Sequence, residues 1–244
     1  SNALDQSATA TIWERIAAHY KGNPGVAGYD LINEPTGAPS TQAVWNAYRN
    51  LYTDIRNIDS DHMIIMEGTF GNWNWNQLPD PSTYGWTNVM YEMHEYQFNS
   101  TNDPSAIEAG TNNQVNDFAN HLSWNIPDYV GEFNDFAPGS NPASVWQYTV
   151  GQFDANNINW TTWSYKTTQT LAPNSWGVYA PTYWAQTPNI QTDSAQTIAQ
   201  DWSQWTTAAA FTVTGFLQHS LAQPVPVNDS YALAVNTSFT ASAS

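Results

Sequence analysis

The chain has 244 residues, a length suited to one domain with a sizeable core. It carries 21 Asp+Glu against 5 Lys+Arg, a net charge of −16, so phosphate backbones and anionic membrane surfaces are poor partners while a neutral ligand meets no such repulsion. With no cysteine, disulfides, thiolate metal sites and cysteine nucleophiles are excluded together, and no apolar run approaches the roughly 20 residues needed to cross a bilayer.

Ser1-Asn2-Ala3 reads as the scar of a cleaved tag, and no secretory signal precedes the first element. Apolar residues at helical spacing (Ile12, Trp13, Ile16, Ala17, Tyr20) predict a helix over 8–20, which Lys21-Gly22-Asn23-Pro24 ends. A strand follows over 26–32. The stripe Val44, Trp45, Tyr48, Leu51, Tyr52, Ile55 predicts a helix over 41–57, capped by Ser40 or Thr41. The unbroken apolar run Met63–Met66 reads as a buried parallel strand over 62–66. Residues 68–87, rich in Gly, Asn, Pro and Trp, read as a long loop. Strands are expected over 88–96, 128–132 and 159–165, and helices over 104–122, 142–156 and 192–205. A second aromatic loop covers 167–190. Five strands alternating with helices predict a parallel sheet with helices packed outside it. The last residues, 208–244, break the rhythm; they hold only short β-prone runs at 211–217 and 231–235 and read as an extension of uncertain structure following a domain over 1–207.

Two glutamates stand at strand ends, Glu34 in Asp-Leu-Ile-Asn-Glu-Pro and Glu132 in Tyr-Val-Gly-Glu-Phe. The carboxyl end of a parallel strand is where α/β barrels keep catalytic groups. Two such carboxylates form a pair able to cleave a glycosidic bond, one as acid/base and one as nucleophile. Thirteen Trp and thirteen Tyr fit a sugar ligand, because aromatic faces stack on sugar rings. His94 and Tyr96 share a strand face by the two-residue period, leaving Glu95 on the other face and Glu92 deeper on the same one, where it reads as structural. Glu67 ends a strand too, but Glu-Gly-Thr reads equally as a turn. The five histidines show no HExxH or paired spacing, so no metal is expected, and neither a Gly-rich phosphate loop nor Gly-x-Ser-x-Gly occurs. No cofactor is expected.

Taken in order, Asn33-Glu34-Pro35, His94-Glu95-Tyr96, Gly131-Glu132-Phe133 and Trp163 in Trp-Thr-Thr-Trp-Ser-Tyr-Lys resemble glycoside hydrolase family 5, over roughly residues 8–207. The resemblance implies a (β/α)8 TIM-barrel-like fold, of which this chain holds strands four to eight. It also implies a retaining hydrolase of neutral β-linked glucan or related polysaccharide. Glu34 would be the acid/base, Asn33 a ligand of the sugar 2-hydroxyl, Glu132 the nucleophile and Tyr96 its hydrogen-bond partner. His94 would orient the acid/base or bind substrate, and Trp163 would form the floor under the scissile sugar, with a cis peptide following it. Lys166 is expected to reach a sugar hydroxyl, and Trp73, Trp75 and Trp176 either line outer subsites or pack.

The family's first three strands, with a supporting Arg and His, have no counterpart here. An open parallel sheet exposes an edge and an apolar inner face. A homodimer, a swapped barrel or cover by the C-terminal extension is therefore expected. So is an alternative function: a carbohydrate-binding or assembling fragment without turnover. Low lysine content and low pI suggest an extracellular protein.

Overall fold

A computed structural model describes residues 3–71, 74–97, 103–134, 142–166, 179–181, 187–204, 211–213, 230–232 and 238–240. Its centre is a parallel sheet of five strands in sequential order: β1 (Gly28–Asp30), β2 (Met63–Glu67), β3 (Val89–Glu95), β4 (Asp128–Phe133) and β5 (Asn159–Trp160). Parallel neighbours need long crossovers. Helices α2 (Thr41–Arg56), α3 (Pro104–Asn120) and α4 (Pro142–Ala155) supply three of them, and α1 (Ala3–Tyr20) precedes the sheet. The β2–β3 crossover instead carries two single 3-10 turns, Trp75–Gln77 and Pro81–Tyr84, inside the segment expected to be a loop.

Local chemistry sets the helix starts. Ser40 accepts from the Ala43 amide at the head of α2, and Asp103 accepts from Ser105 and Ala106 with Pro104 at the first turn of α3. Helix α2 then buries Val44, Tyr48, Leu51 and Ile55, one stripe at the i, i+4, i+7, i+11 spacing. That stripe meets Ile64 and Met66 from β2, while Phe133 of β4 lies against Trp146 and Phe153 of α4. Each such side chain, taken fully out of water, contributes about 1.5–3 kcal/mol. Helix α1 begins five residues earlier than its periodicity predicts, and Ile12 and Tyr20, expected on its packing stripe, are exposed.

Strands at the sheet's margins are shorter than expected. Among the described residues β1 has a ladder partner on one side only, and it holds three residues. β5 holds two residues; past Trp160 the Thr161 amide still donates to Val130 O and the Trp163 amide to Phe133 O, and the hydroxyls of Thr161 and Thr162 add bonds to Gly131 O and Phe133 O. Within the second aromatic loop, β6 (Tyr179–Pro181) pairs antiparallel with β7 (Phe211–Val213), one of the β-prone runs of the extension. Helix α5 (Ala195–Ser203) lies between them in sequence, and β8 (Ser230–Ala232) pairs with β9 (Ser238–Thr240). No helix among the described residues is long and apolar enough to cross a membrane.

Candidate active site

Side chains alternate across the sheet, and register fixes which ones meet. On β3, Val89, Tyr91, Met93 and Glu95 face the helices, where Glu95 accepts from Thr111 Oγ1 of α3. Met90, Glu92 and His94 lie on the inner face. Through the pairs Asp30↔Ile65, Ile65↔Met90 and Glu67↔Glu92, Asp30 and Glu67 join that face. Strand β4 needs one correction to its alternation. Val130 pairs with Met93 and Glu132 with His94, so Gly131 is an extra residue, a β-bulge. In a regular strand Glu132, two positions after Val130, would point at the helices. With the bulge, Glu132 lands beside His94. A Cβ at Gly131 would overlap Glu92 Oε1, so any side chain there would displace the buried Glu92 carboxyl.

At the carboxyl ends of the strands four of the sequence-predicted residues converge. His94 Nδ1 lies 3.0 Å from Glu34 Oε1 and 3.7 Å from Glu132 Oε2. Tyr96 donates its hydroxyl proton to Glu132 Oε2 at 2.8 Å. Carboxylate oxygens of Glu34 and Glu132 and a His94 nitrogen all lie within 4.8 Å of one another. Glu34 and Glu132 stay partly accessible, as groups that meet a ligand must, while His94 is buried beneath them. Asn33 is exposed next to Glu34. The Trp163–Ser164 peptide is cis, and Trp163 is 50% exposed, its amide donating to Phe133 O at 3.1 Å. Lys166 sits half-buried after it, its ammonium 5.6 Å from the Tyr165 ring centroid.

Glu34 is held unusually. Its φ is +45°, a left-handed conformation that costs a non-glycine residue energy and is concentrated at functional sites. Its amide donates to Glu67 Oε2 in a short bond. Glu67, which the sequence leaves undecided between turn and site, is fully buried with Oε1 3.4 Å from His94 Nδ1. Its signal was position alone: an acid ending a strand, next to one that ends in Asn-Glu-Pro. Beneath this layer, Glu92 Oε1 lies 3.5 Å from His94 Nε2, so imidazole and carboxylates stack into a column.

Burial by itself would lower the His94 pKa, but the hydrogen bond with Glu92 and the charges and bonds of Glu67, Glu34 and Glu132 outweigh it and push the value up to about 9. Glu67 is pushed up to about 8 by burial, against the pull of His94 and the Glu34 amide and with help from Glu92 and Asp30. Asp30 presents exposed surface on the open flank by β1. The protein packed around its inner side, then Glu92, push its pKa up to about 7. Burial and the Glu132 bond raise the Tyr96 phenol well above its usual range, so it stays a donor to the carboxylate. The arrangement can hold one carboxyl with a mobile proton and a second fixed as an acceptor by a tyrosine.

Of the three loop tryptophans, left open between subsite and packing, Trp75 packs. It is 0% exposed, packed on Tyr91, Phe118, His121 and Trp124, with its amide bonded to Asp117, and it cannot line a subsite. Trp73 and Trp176 lie outside the described residues. A cleft of about 310 Å³ does adjoin Glu34, lined by Pro35, Thr36, Ala38, Thr69, Phe70 and Gln77. A larger cavity of about 520 Å³, between α1 and α2, is lined by none of the acidic cluster.

Known proteins share both sequence and fold with this chain. The pattern of the cellulase family, glycosyl hydrolase family 5, matches residues 1–169. An endoglucanase of Paenibacillus polymyxa is 26% identical over 79% of this chain and 50% of its own length, and a β-xylosidase of Phanerodontia chrysosporium is 33% identical over 35% of this chain and 17% of its own. Among solved structures, endo-glycoceramidase II from Rhodococcus sp. superposes with a TM-score of 0.58 at 18% identity, covering 72% of this chain and 42% of that one. An endoglucanase from the hyperthermophilic Thermotoga maritima does so with a TM-score of 0.57 at 20% identity, covering 72% and 62%. The chain thus spans half or less of the first two relatives, and its sheet corresponds to part of a TIM barrel. With the family pattern running through every strand of that sheet, the chain belongs to glycosyl hydrolase family 5.

Proposed function

We propose that this chain carries the acid/base and nucleophile of a retaining glycoside hydrolase acting on a neutral β-linked glucan or related polysaccharide. The observation that carries the reading is the approach of Glu34 and Glu132, with oxygens no more than 4.8 Å apart across His94. That approach fits the about 5–5.5 Å carboxyl separation of retaining enzymes rather than the about 6.5–9.5 Å that inverting ones keep for a water.

In the first step Glu34 gives its proton to the glycosidic oxygen while a Glu132 oxygen attacks the anomeric carbon. The carbon–oxygen bond breaks and the leaving alcohol departs. Formation of the ester removes the charge of Glu132, which lowers the proton affinity of Glu34. Glu34, now a carboxylate, takes a proton from water, whose oxygen attacks the same carbon and frees Glu132. Tyr96 keeps Glu132 aimed throughout, His94 orients Glu34, and the half-exposed face of Trp163 offers the stacking floor. Asn33 and Lys166 are the proposed hydroxyl ligands. Charge repulsion against anionic polymers favours a neutral substrate and an extracellular setting suits such a polymer.

The test is hydrolysis of an aryl β-cellobioside by the wild type and by Glu132→Gln, with the anomer of the product followed by NMR. The reading expects a β-product from the wild type and almost none from the variant; equal rates for both would remove it. A second reading, sugar binding without turnover, is favoured by the exposure of Asp30, which leaves the β1 flank of the site open. Tryptophan quenching by cello-oligosaccharides with no release of reducing ends would select it. Closure of that flank by a second copy, as a homodimer or swapped barrel, would appear as a doubled solution mass.

A further inference from the structure

The ladder between β1 and β2 runs out just where the acid/base stands. Leu31 still donates its amide to Ile65 O at 3.2 Å, and beyond the gap Phe70 donates to Pro35 O at 3.1 Å. Between these two bonds the chain turns through Asn33, Glu34 and Pro35. Proline has no amide hydrogen to offer, and Glu34 turns left-handed. A residue before proline is normally pushed to extended backbone. The Glu34 conformation is therefore one that its local sequence does not favour, and something outside the turn must hold it.

The holder is the side chain of Glu67, whose Oε2 takes the Glu34 amide in place of a ladder carbonyl. Glu67 is itself fixed from the helix side. Tyr48 of α2 donates its hydroxyl proton to Glu67 O at 2.9 Å and accepts the Glu67 amide at 3.1 Å. Tyr48 and Glu67 are both fully buried. The other Glu67 oxygen lies 3.4 Å from the same His94 nitrogen that meets Glu34. One carboxyl thus touches both the backbone of Glu34 and the imidazole that orients the Glu34 side chain.

We infer that Glu67 is a positioning residue for the acid/base: a side-chain clamp, anchored on Tyr48, that holds Glu34 in its left-handed turn so that its carboxyl faces the leaving group. This rests on the reading of Glu34 given above. A misplaced acid matters in proportion to how much the departing alcohol needs its proton. Loss of the clamp therefore slows the bond-breaking step, which kcat/KM reports, for substrates with poor leaving groups and spares it for those whose leaving group departs as an anion. A residue that only supports the fold would lower stability and slow both alike.

The experiment compares Glu67→Met, which keeps the length and loses the acceptor, with Glu67→Gln, which keeps an acceptor oxygen. Two substrates are used, methylumbelliferyl and 2,4-dinitrophenyl β-cellobioside, with a thermal melt to verify folding. The expectation for Glu67→Met is a kcat/KM loss of about 10- to 100-fold on the first substrate and less than about 3-fold on the second. Glu67→Gln should recover most of it. Equal losses on both substrates, or no loss, overturn the clamp and leave the hydrolase reading standing. A second readout does not need turnover. The Glu34 amide proton, in a ¹H–¹⁵N spectrum, should move strongly upfield in Glu67→Met and stay near its wild-type position in Glu67→Gln. If the wild type cleaves nothing, the hydrolase reading falls, and this resonance alone decides whether Glu67 holds the turn; an unmoved resonance overturns it.

Discussion

The two faces of the five-stranded sheet do different physical work. The helix-facing side is mostly apolar and closed: Ile64, Met66, Tyr91, Met93, Val130 and Phe133 are all buried against helices or loops, with Glu95 and Asp128 the buried acids among them. The inner side carries Asp30, Glu67, Glu92 and Glu132, with Glu34 just beyond β1, and His94 in their midst. The same backbone ladder supports both. One face gains free energy from burial. The other spends part of it, because buried like charges disfavour the folded state unless protons or partners relieve them. Stability and chemistry are thus separated by the two-residue period of a strand, and substitutions should sort by face.

The sharpest break of that comparison is Glu132→Gln against Phe153→Ala. The first should lower kcat for aryl cellobiosides by about 10³-fold or more while leaving the melting temperature unchanged or slightly raised. The second deletes a fully buried ring from the outer side and should cost about 3–5 kcal/mol of stability with little change in kcat at low temperature. A large melting-temperature drop in Glu132→Gln would show that the inner face also carries the fold. Next in size is Tyr96→Phe, which removes one hydrogen bond to Glu132. Loss of a bond to a charged group is worth about 1.5–3 kcal/mol, so kcat/KM should fall about 10- to 100-fold, with the melt again nearly unmoved.

The faces should also separate in pH. His94 has a folded value of about 9 against about 6.5 unfolded, so its stabilising contribution is complete below about 6.5 and lost as pH rises through 9. Asp30 and Glu67, at about 7 and about 8 against about 4 unfolded, hold protons in the fold that the unfolded chain has released, so stability falls as pH climbs from about 4 to about 8. Asp128, pushed up to about 8 by burial at the foot of β4, adds the same sign. Asp59 runs the other way. Despite its burial, the bonds from Tyr29, His62 and the Asp61 amide hold it well below the usual carboxylate range, so its contribution is present above about 4 and lost only in strong acid. The melting temperature should therefore be higher at pH 5 than at pH 9. Asp30→Asn should shrink that difference, the smallest effect of the series, because Asp30 is exposed to screening water. A flat profile from pH 5 to 9 would mean that the inner carboxyls are solvated.

Much of this could be read from the residues alone. Strand–helix alternation, the stripe on α2 and the four strand-end elements are local patterns, and local patterns survive in sequence. What escaped depends on neighbours far along the chain. Glu67 became legible only once β2 lay beside the Asn-Glu-Pro turn, and Trp75 entered the core because Trp124 and His121, from a later crossover, close over it. The extra hold on the end of β5 was hidden for the same reason: its threonines read as strand residues, and only the neighbouring β4 shows that their hydroxyls also bond the carbonyls of Gly131 and Phe133. The inner acids could be named one at a time, but their mutual distance, which decides their proton affinities, is set by register.

The extra residue at Gly131 carries a rule for anyone redesigning this strand. Counting from Val130, the nucleophile candidate stands an even number of places along yet on the opposite side, so ordinary odd–even arithmetic fails at this one point. Upstream of Val130 the strand can be lengthened or trimmed by pairs of residues without turning Glu132 around. Removing Gly131 alone would restore ordinary alternation with Glu132 directly after Val130 and still facing inward, whereas forcing the strand regular with Gly131 in place would turn that carboxyl toward α4.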